Sequence, residues 1–453
     1  MIRKMAALCA LLMLAATMLR AAAGFENEDR VVFFGDSITH GGTYHLFLRD
    51  YYYTRYPEKT FEFVNRGLSG DSAAGALKRL SADVVSAHPT RVLIHFGMND
   101  IGRNNYGVKP ITPGLEKARR AAIIAYDANL ETLIRQLTAQ NIKVTILSPT
   151  PYDETMVQDG ENLVGCADAL AKCAEIGRRL GASYRCDTID LLTPMLQLNR
   201  EVQRRNPADT IISADRVHPR EVGHPIIAGL ILEAQQQPGE VAAATLDAGS
   251  GKVTATRNCE VKDLTVKPGE IAFSYLPAAL PFPLFPEQAR VDQLYGFSAK
   301  FNREPLTVTG LEAGKYQLLM NGVPVGEFTA ADFAAGVNLA VLAGSPLQQQ
   351  SQQIRKLVRE TGALESKLCV INQVKALFDS RKVKLADPAA VDACWEQLFK
   401  QYANNDKYWR GLRKTYEETL PRRKEIEKER ESLLAAIEKA RKVDPVKMML
   451  KKL

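Results

Sequence analysis

Four short apolar runs punctuate the first 150 residues, each closing on a small or polar residue. Val31–Phe34 stops at Gly35, Phe61–Val64 at Asn65, Val92–Phe96 at Gly97 and Val144–Leu147 at Ser148-Pro149. Predominantly apolar runs of this length, interrupted only by Glu62, His95 and Thr145, suit strands buried on both faces. Helical periodicity fills the intervals over Tyr44–Tyr56, Ala73–Ala87, Gly114–Gln140 and Glu161–Leu180. A fifth strand is expected near Ser183–Thr188 and a closing helix over Glu221–Gln235. Strand–helix alternation predicts an α/β unit over residues 28–238, a doubly wound parallel sheet with helices on both faces. In such sheets functional groups gather just beyond the carboxyl ends of the strands.

The pattern changes at about Gly239. Val253–Ala255, Ile271–Tyr275, Pro305–Thr309, Tyr316–Met320 and Val337–Leu342 are short, β-rich and separated by turn dipeptides. Asn321-Gly322 between two such runs predicts a tight hairpin. Residues 240–345 therefore read as a small β-rich, sandwich-like accessory domain, with the proline-rich Pro277–Pro286 as an exposed connection. Residues 346–453 read as a helical C-terminal region. Trp409, Leu412, Tyr416 and Leu420 form one apolar stripe, Pro421 interrupts it, and Ile426, Leu433, Ile437 and Ala440 resume it. A packed helical appendage is the simplest account of these stripes; a surface for a partner or a membrane is the other.

Charge separates these regions. Residues 346–453 hold 24 Lys and Arg against 15 Asp and Glu, whereas everything before them carries 35 basic and 37 acidic residues. The region with the α/β pattern thus has no basic bias, and nucleic acid is excluded as its partner. At the N-terminus Arg3 and Lys4 precede the apolar stretch Met5–Leu19 and the small residues Ala21-Ala22-Ala23. That is the form of a secretory signal peptide over residues 1–23, too short in its apolar part for the roughly 20 residues of a spanning helix. Export to the periplasm or the medium is the expectation, with no stable membrane insertion after cleavage. Six cysteines follow it: Cys166, Cys173, Cys186, Cys259, Cys369 and Cys394. Cys166 and Cys173 on one helix would stand about 10 Å apart, beyond direct disulfide reach. The others leave pairing and burial as free thiols both open.

Four motifs carry chemistry. Gly35-Asp36-Ser37-Ile38-Thr39 follows the first strand, Ser69-Gly70-Asp71 the second and Gly97-Met98-Asn99-Asp100 the third, while Asp215-Arg216-Val217-His218 precedes the closing helix. A serine hydroxyl needs an adjacent base to become a nucleophile. Taken singly, each motif has a plain structural alternative: Asp36-Ser37 as a helix cap, Asn99-Asp100 as a turn. All four in this order, three of them at strand ends, are hard to produce by chance. Over roughly residues 30–236 the chain resembles the SGNH (GDSL-type) hydrolase superfamily. The resemblance implies a flavodoxin-like sheet, a catalytic triad of Ser37, His218 and Asp215, and an oxyanion hole from the Ser37 and Gly70 amides and the Asn99 side chain. His224 competes with His218 for the role of base, and Asp100 is expected to organise its loop.

No metal set or cofactor motif emerges from the spacing of His, Cys or Gly. The polar loops Thr39–Tyr44 and Gly102–Tyr106 offer His40, Tyr44 and Asn104 as candidate substrate contacts. Polar cleft loops, export and a β-rich accessory domain favour an acylated carbohydrate as substrate, which makes the expected activity carbohydrate O-acetylesterase. The alternatives are a lipid or aryl esterase, an acyltransferase using the same intermediate, and a non-catalytic glycan-binding protein on this fold. The oligomeric state is not legible.

Overall fold

The computed structural model describes residues 21–403 and 406–453, so the expected signal peptide lies almost wholly outside the described residues. Strands β1 (Asp29–Gly35), β2 (Phe61–Asn65), β3 (Arg91–His95), β4 (Lys143–Leu147) and β5 (Asp187–Ile189) form one sheet in the order β2-β1-β3-β4-β5. Every pairing in it is parallel. The helices between them are α1 (Ser37–His40), α2 (Tyr44–Arg55), α3 (Ala73–Arg79), α4 (Pro113–Thr138), α5 (Cys166–Tyr184), α6 (Leu192–Arg205) and α7 (Gly223–Ala234). Successive positions of these runs can both be apolar because alternate side chains serve opposite, covered faces. Val31 and Phe33 pack with Tyr44 of α2 and Ile227 of α7, while Val32 and Phe34 pack with Ala76 of α3 and Leu130 of α4. Among the described residues no helix is long and apolar enough to cross a membrane.

Three departures from the sequence pattern occur here. Helix α3 stops at Arg79 and gives way to a π-helical turn over Leu80–Val84. That turn brings Asp83 within 2.6 Å of Arg79, whose side chain also holds Asp71 at 2.8 Å. Helix α5 runs to Tyr184, so β5 starts later than expected, and α6 was not anticipated. All six cysteines of the described residues are free thiols.

Beyond α7, strands β6 (Ala243–Asp247), β7 (Lys252–Arg257), β8 (Cys259–Lys267) and β9 (Glu270–Pro277) are followed by helices α8 (Gln288–Tyr295) and α9 (Phe297–Phe301). Strands β10 (Pro305–Thr309), β11 (Lys315–Met320) and β12 (Val323–Thr329), helix α10 (Ala330–Ala335) and strand β13 (Val337–Asn338) complete this part. Asn321 and Gly322 turn the β11–β12 hairpin with φ of 51° and 80°, the left-handed pair a tight hairpin requires. Pro277–Pro286 is not an exposed connection. Its Leu280, Phe282 and Phe285 are buried; the Phe282 ring stacks on Phe47 of α2 and the Phe285 ring meets it edge-on. Prolines marked the absence of regular structure there, but the aromatic residues between them determine burial.

The C-terminal part comprises α11 (Pro346–Ser380), α12 (Pro388–Gln401), α13 (Asp406–Thr419) and α14 (Arg423–Ala440), and ends in a strand, β14 (Val446–Lys452). That strand corrects the reading of residues 346–453 as helical throughout. β14 is the middle strand of the sheet β12-β11-β14-β9-β8, and alternate Val446, Met448 and Leu450 are buried in its core face. The second sheet has the order β13-β10-β6-β7. One apolar core runs from α2 and α7 through both sheets to Ile354 of α11 and Ile437 of α14.

Part of the tail's charge is spent on the α/β unit. Arg355 and Arg359 of α11 lie 2.7 and 2.5 Å from Asp50 of α2, which is fully buried. Arg49 pairs with Glu365 at 2.7 Å, and Glu365 in turn takes Arg430 at 3.0 Å. Arg441, wholly buried, donates to the carbonyl of Tyr53 in the last turn of α2, where a helix leaves its final acceptors unpaired, and to those of Tyr56 and Lys59 just beyond it. Removing one partner of such a buried cluster leaves the other charges uncompensated. Asp50→Ala is therefore expected to lower stability by about 3 kcal/mol, read as a lower urea midpoint with unchanged slope; an unchanged midpoint would contradict it.

Candidate active site

Strand order places β1 between β2 and β3, so connections leave it in opposite directions and open a crevice at its carboxyl end. Ser37 sits in that crevice as the first residue of α1. Asp36 caps this helix, its carboxylate accepting from the Ile38 amide at 2.9 Å. Gly35 is required at the reversal, since a Cβ there would lie 2.3 Å from Thr39 Oγ1 and 2.7 Å from the His95 carbonyl.

The loop before α7 brings His218 to this point. Ser37 Oγ stands 2.7 Å from His218 Nε2, and His218 Nδ1 stands 2.5 Å from Asp215 Oδ2. The other oxygen of Asp215 accepts from the amides of Val217 and His218, each at 2.9 Å, and from Ser213 Oγ at 2.6 Å. Burial alone would raise the Asp215 carboxyl, but the bonds from His218, Ser213 and the two amides outweigh it and hold it well below the usual range. Asp215 therefore stays ionised and able to orient an imidazole. Arg216 adopts a left-handed φ of 65° and is buried, donating to the carbonyls of Asp153 and Met156. It anchors the loop, a role with no signal in the sequence beyond its place between Asp215 and His218.

Two other loops complete the crevice. Gly70 has φ of +78° with open space where a Cβ would stand, so the backbone conformation, not crowding, requires glycine. Among the described residues the Ser37 and Gly70 amides find no protein acceptor. Asn99 donates one amide hydrogen to the Asp71 carbonyl at 2.8 Å, and its Oδ1 accepts from Arg103 at 3.2 Å. One Asn99 hydrogen is left over. Asp100 does organise its loop, accepting from the Gly97 and Ala73 amides at 3.0 and 2.8 Å. Arg103 was missed because arginine in a polar loop has no distinctive pattern.

The three candidate substrate contacts fare differently. His40 is at the site, but its Nδ1 accepts from the Ser69 amide at 3.2 Å and lies 3.0 Å from Ser69 Oγ. It ties α1 to the Gly70 loop, and burial lowers its pKa. Asn104 is exposed in the short 3-10 turn Arg103–Asn105. Tyr44 is a correction: it is fully buried, with its hydroxyl 3.0 Å from Thr39 Oγ1. It faces the core because α2 packs its first turn on β1, as the edge contact with Phe33 shows. His224 is half-buried, has its pKa lowered to about 4 by desolvation and by His218, and makes no bond to Ser37. Among the described residues no three His, Cys, Asp or Glu side chains group as a metal site.

Asp36 is the electrostatic oddity of the crevice. Desolvation, with Asp100 and Asp71 nearby, raises its pKa from 3.8 to about 7 despite the Ile38 bond. The folded protein thus binds this proton more tightly than the unfolded chain. Stability is greatest below pH 3.8 for this group and falls as pH rises through the window from 3.8 to about 7. Asn caps a helix as well as Asp does, so Asp36→Asn is expected to remove that loss. The variant gains stability of the order of 2 kcal/mol at pH 8 and nothing at pH 4. Thermal melts at the two pH values decide it, and equal shifts at both would count against the assignment.

Residues 33–226 match the GDSL-like lipase/acylhydrolase family. This part of the chain belongs to that family. As a GDSL-type acylhydrolase it is an ester-cleaving enzyme. Its relatives include the acetylxylan esterase of Geobacillus stearothermophilus, 25% identical over 221 residues that cover 46% of this chain and 93% of that esterase. The whole architecture is similar to that of BT4096, a gut microbial diltiazem-metabolizing enzyme. The match has a TM-score of 0.88 at 29% identity and covers 96% of this chain and 100% of the other. The similarity therefore extends beyond the GDSL unit, through both sheets and the C-terminal helices.

Proposed function

We propose that this protein is an exported carbohydrate O-acetylesterase acting through a Ser37–His218–Asp215 triad. The unbroken contact from Ser37 Oγ through His218 to Asp215 is the observation that carries the reading. His218 Nε2 takes the Ser37 proton as Oγ attacks the ester carbonyl. The resulting oxyanion is met by the amides of Ser37 and Gly70 and by the free hydrogen of Asn99. His218 then gives its proton to the departing alcohol, leaving Ser37 acylated, and activates a water that releases the acid. The choice of an acetylated sugar is supported by the polar loops around the crevice and by the similarity to an acetylxylan esterase. The leader-like residues 1–23 support export.

The full-length likeness to BT4096 favours a second reading, a small-molecule ester in place of a glycan. Acetate release from acetylated xylan and oligosaccharides, set beside small aryl acetates, separates the two. The carbohydrate reading requires the glycans to be cleaved, and a preference for long acyl chains in a p-nitrophenyl ester series would exclude it. Covalent labelling of Ser37 by a fluorophosphonate tests the nucleophile independently of substrate.

A further inference from the structure

A cleft of about 520 Å³ lies between the Gly70 loop with α3 on one side and α11 with α13 on the other. Its size is that of a small-molecule site, which spans roughly 300–1,000 Å³. Ser69 and Asp71, the neighbours of Gly70, line it, and Ser69 also meets His40 of α1, so the cleft lies beside the Gly70 loop while Ser37, Gly70, Asn99 and His218 themselves stand outside its lining. Its far wall comes from chain some 300 residues later: Asn372, Gln373 and Leu377 of α11, Trp409 and Leu412 of α13. We infer that this cleft holds the alcohol part of the ester, an oligosaccharide chain, with Trp409 as its stacking face. The inference rests on the carbohydrate reading above.

The lining has the chemistry a sugar needs. Trp409 is half-buried and its plane is fixed, stacked on Tyr402 with centroids 5.0 Å apart and braced edge-on by Tyr408 at 5.4 Å. A rigid indole offers an apolar face to the C–H side of a pyranose at small entropic cost. Gln373 donates to Tyr408 Oη at 2.8 Å, which leaves its buried Oε1 without a partner. Such an unpaired acceptor is satisfied once the Gln373 amide turns towards a hydroxyl in the cleft. Asn372 donates to Asp83 at 3.2 Å and retains its carbonyl oxygen. Of the charged lining groups, Arg66 and Arg79 are taken up by Asp71 and Asp83, while Lys78, Lys375 and Asp379 are exposed. An aromatic plane with neutral amides suits a polyhydroxylated ring, whereas a fatty chain would want a longer apolar slot.

The test compares two substrates of the full-length protein, p-nitrophenyl acetate, which is too small to span the cleft, and acetylated xylooligosaccharides. Trp409→Ala and Gln373→Ala are expected to lower kcat/KM for the oligosaccharide at least tenfold more than for p-nitrophenyl acetate, chiefly through KM. Trp409→Phe, which keeps a flat face, restores most of the loss. Binding is read separately in Ser37→Ala: Trp395, the other tryptophan, is fully buried, so quenching of emission by the oligosaccharide reports Trp409 and disappears in Trp409→Phe. Equal losses on both substrates, or none on either, overturn the assignment. A wild type that cleaves the oligosaccharide while the Trp409 variants match it removes the cleft alone. A wild type that cleaves p-nitrophenyl acetate but no acetylated glycan removes the carbohydrate reading and the cleft with it.

Discussion

Replacing His218 with alanine is expected to lower kcat for an acetyl ester by roughly 10⁴- to 10⁶-fold, and Ser37→Ala by a similar factor. With Ser37 Oγ and His218 Nε2 at 2.7 Å and no other base bonded to the hydroxyl, neither group replaces the other. The double variant should be no worse than the worse single one, because the two act as a unit. Steady-state kinetics on p-nitrophenyl acetate, with far-UV circular dichroism to show that folding is intact, measure this. A His218→Ala enzyme that kept a tenth of wild-type kcat would mean that another group, such as His224, can serve as base. The desolvation that lowers the His224 pKa to about 4 argues against that. Asp215→Ala combines two losses, since the same carboxylate orients His218 and accepts the amides of Val217 and His218. Its kcat should fall and its loop should loosen together.

Much of this site was legible because its chemistry is attached to strand ends. Gly35, Asn65 and Gly97 close apolar runs, and the residues that follow them converge in the crevice for topological reasons visible in the alternation of strands and helices. What could not be read depends on partners far away in sequence. Arg103 becomes meaningful only once Asn99 is seen to need its oxygen held. β14 looks like the basic end of a helical tail until it is paired between β9 and β11, where alternate Val446, Met448 and Leu450 find a core. The tail's charge, read alone, suggests a surface for a partner; Asp50 and the carbonyls at and after the end of α2 show that part of it is taken up within the chain. Tyr44 failed for a simpler reason. A tyrosine after a polar loop looks like a binding residue, and only the packing of α2 on β1 shows that it points inward.

Asn99→Ala is the second large effect, and it separates transition-state stabilisation from binding. The Asn99 amide is held at both ends: the Asp71 carbonyl takes one hydrogen at 2.8 Å, and Arg103 fixes the oxygen at 3.2 Å. The remaining hydrogen is thereby preoriented, and a preoriented donor costs nothing to reorganise as charge develops. Losing it should reduce kcat by about 10²- to 10³-fold, or roughly 3–4 kcal/mol, with little change in KM. Asn99→Asp should be worse, because it replaces the donor with a charge that repels the oxyanion. Arg103→Ala keeps the donor but frees its orientation, so a smaller loss, about three- to tenfold, is expected by the same logic. If Arg103 acts through Asn99, removing Arg103 in an Asn99→Ala background adds nothing further, and the double-mutant cycle shows a coupling equal to the single Arg103 effect. A raised KM with kcat intact in Asn99→Ala would place Asn99 among substrate-binding groups and leave the oxyanion to the two backbone amides of Ser37 and Gly70.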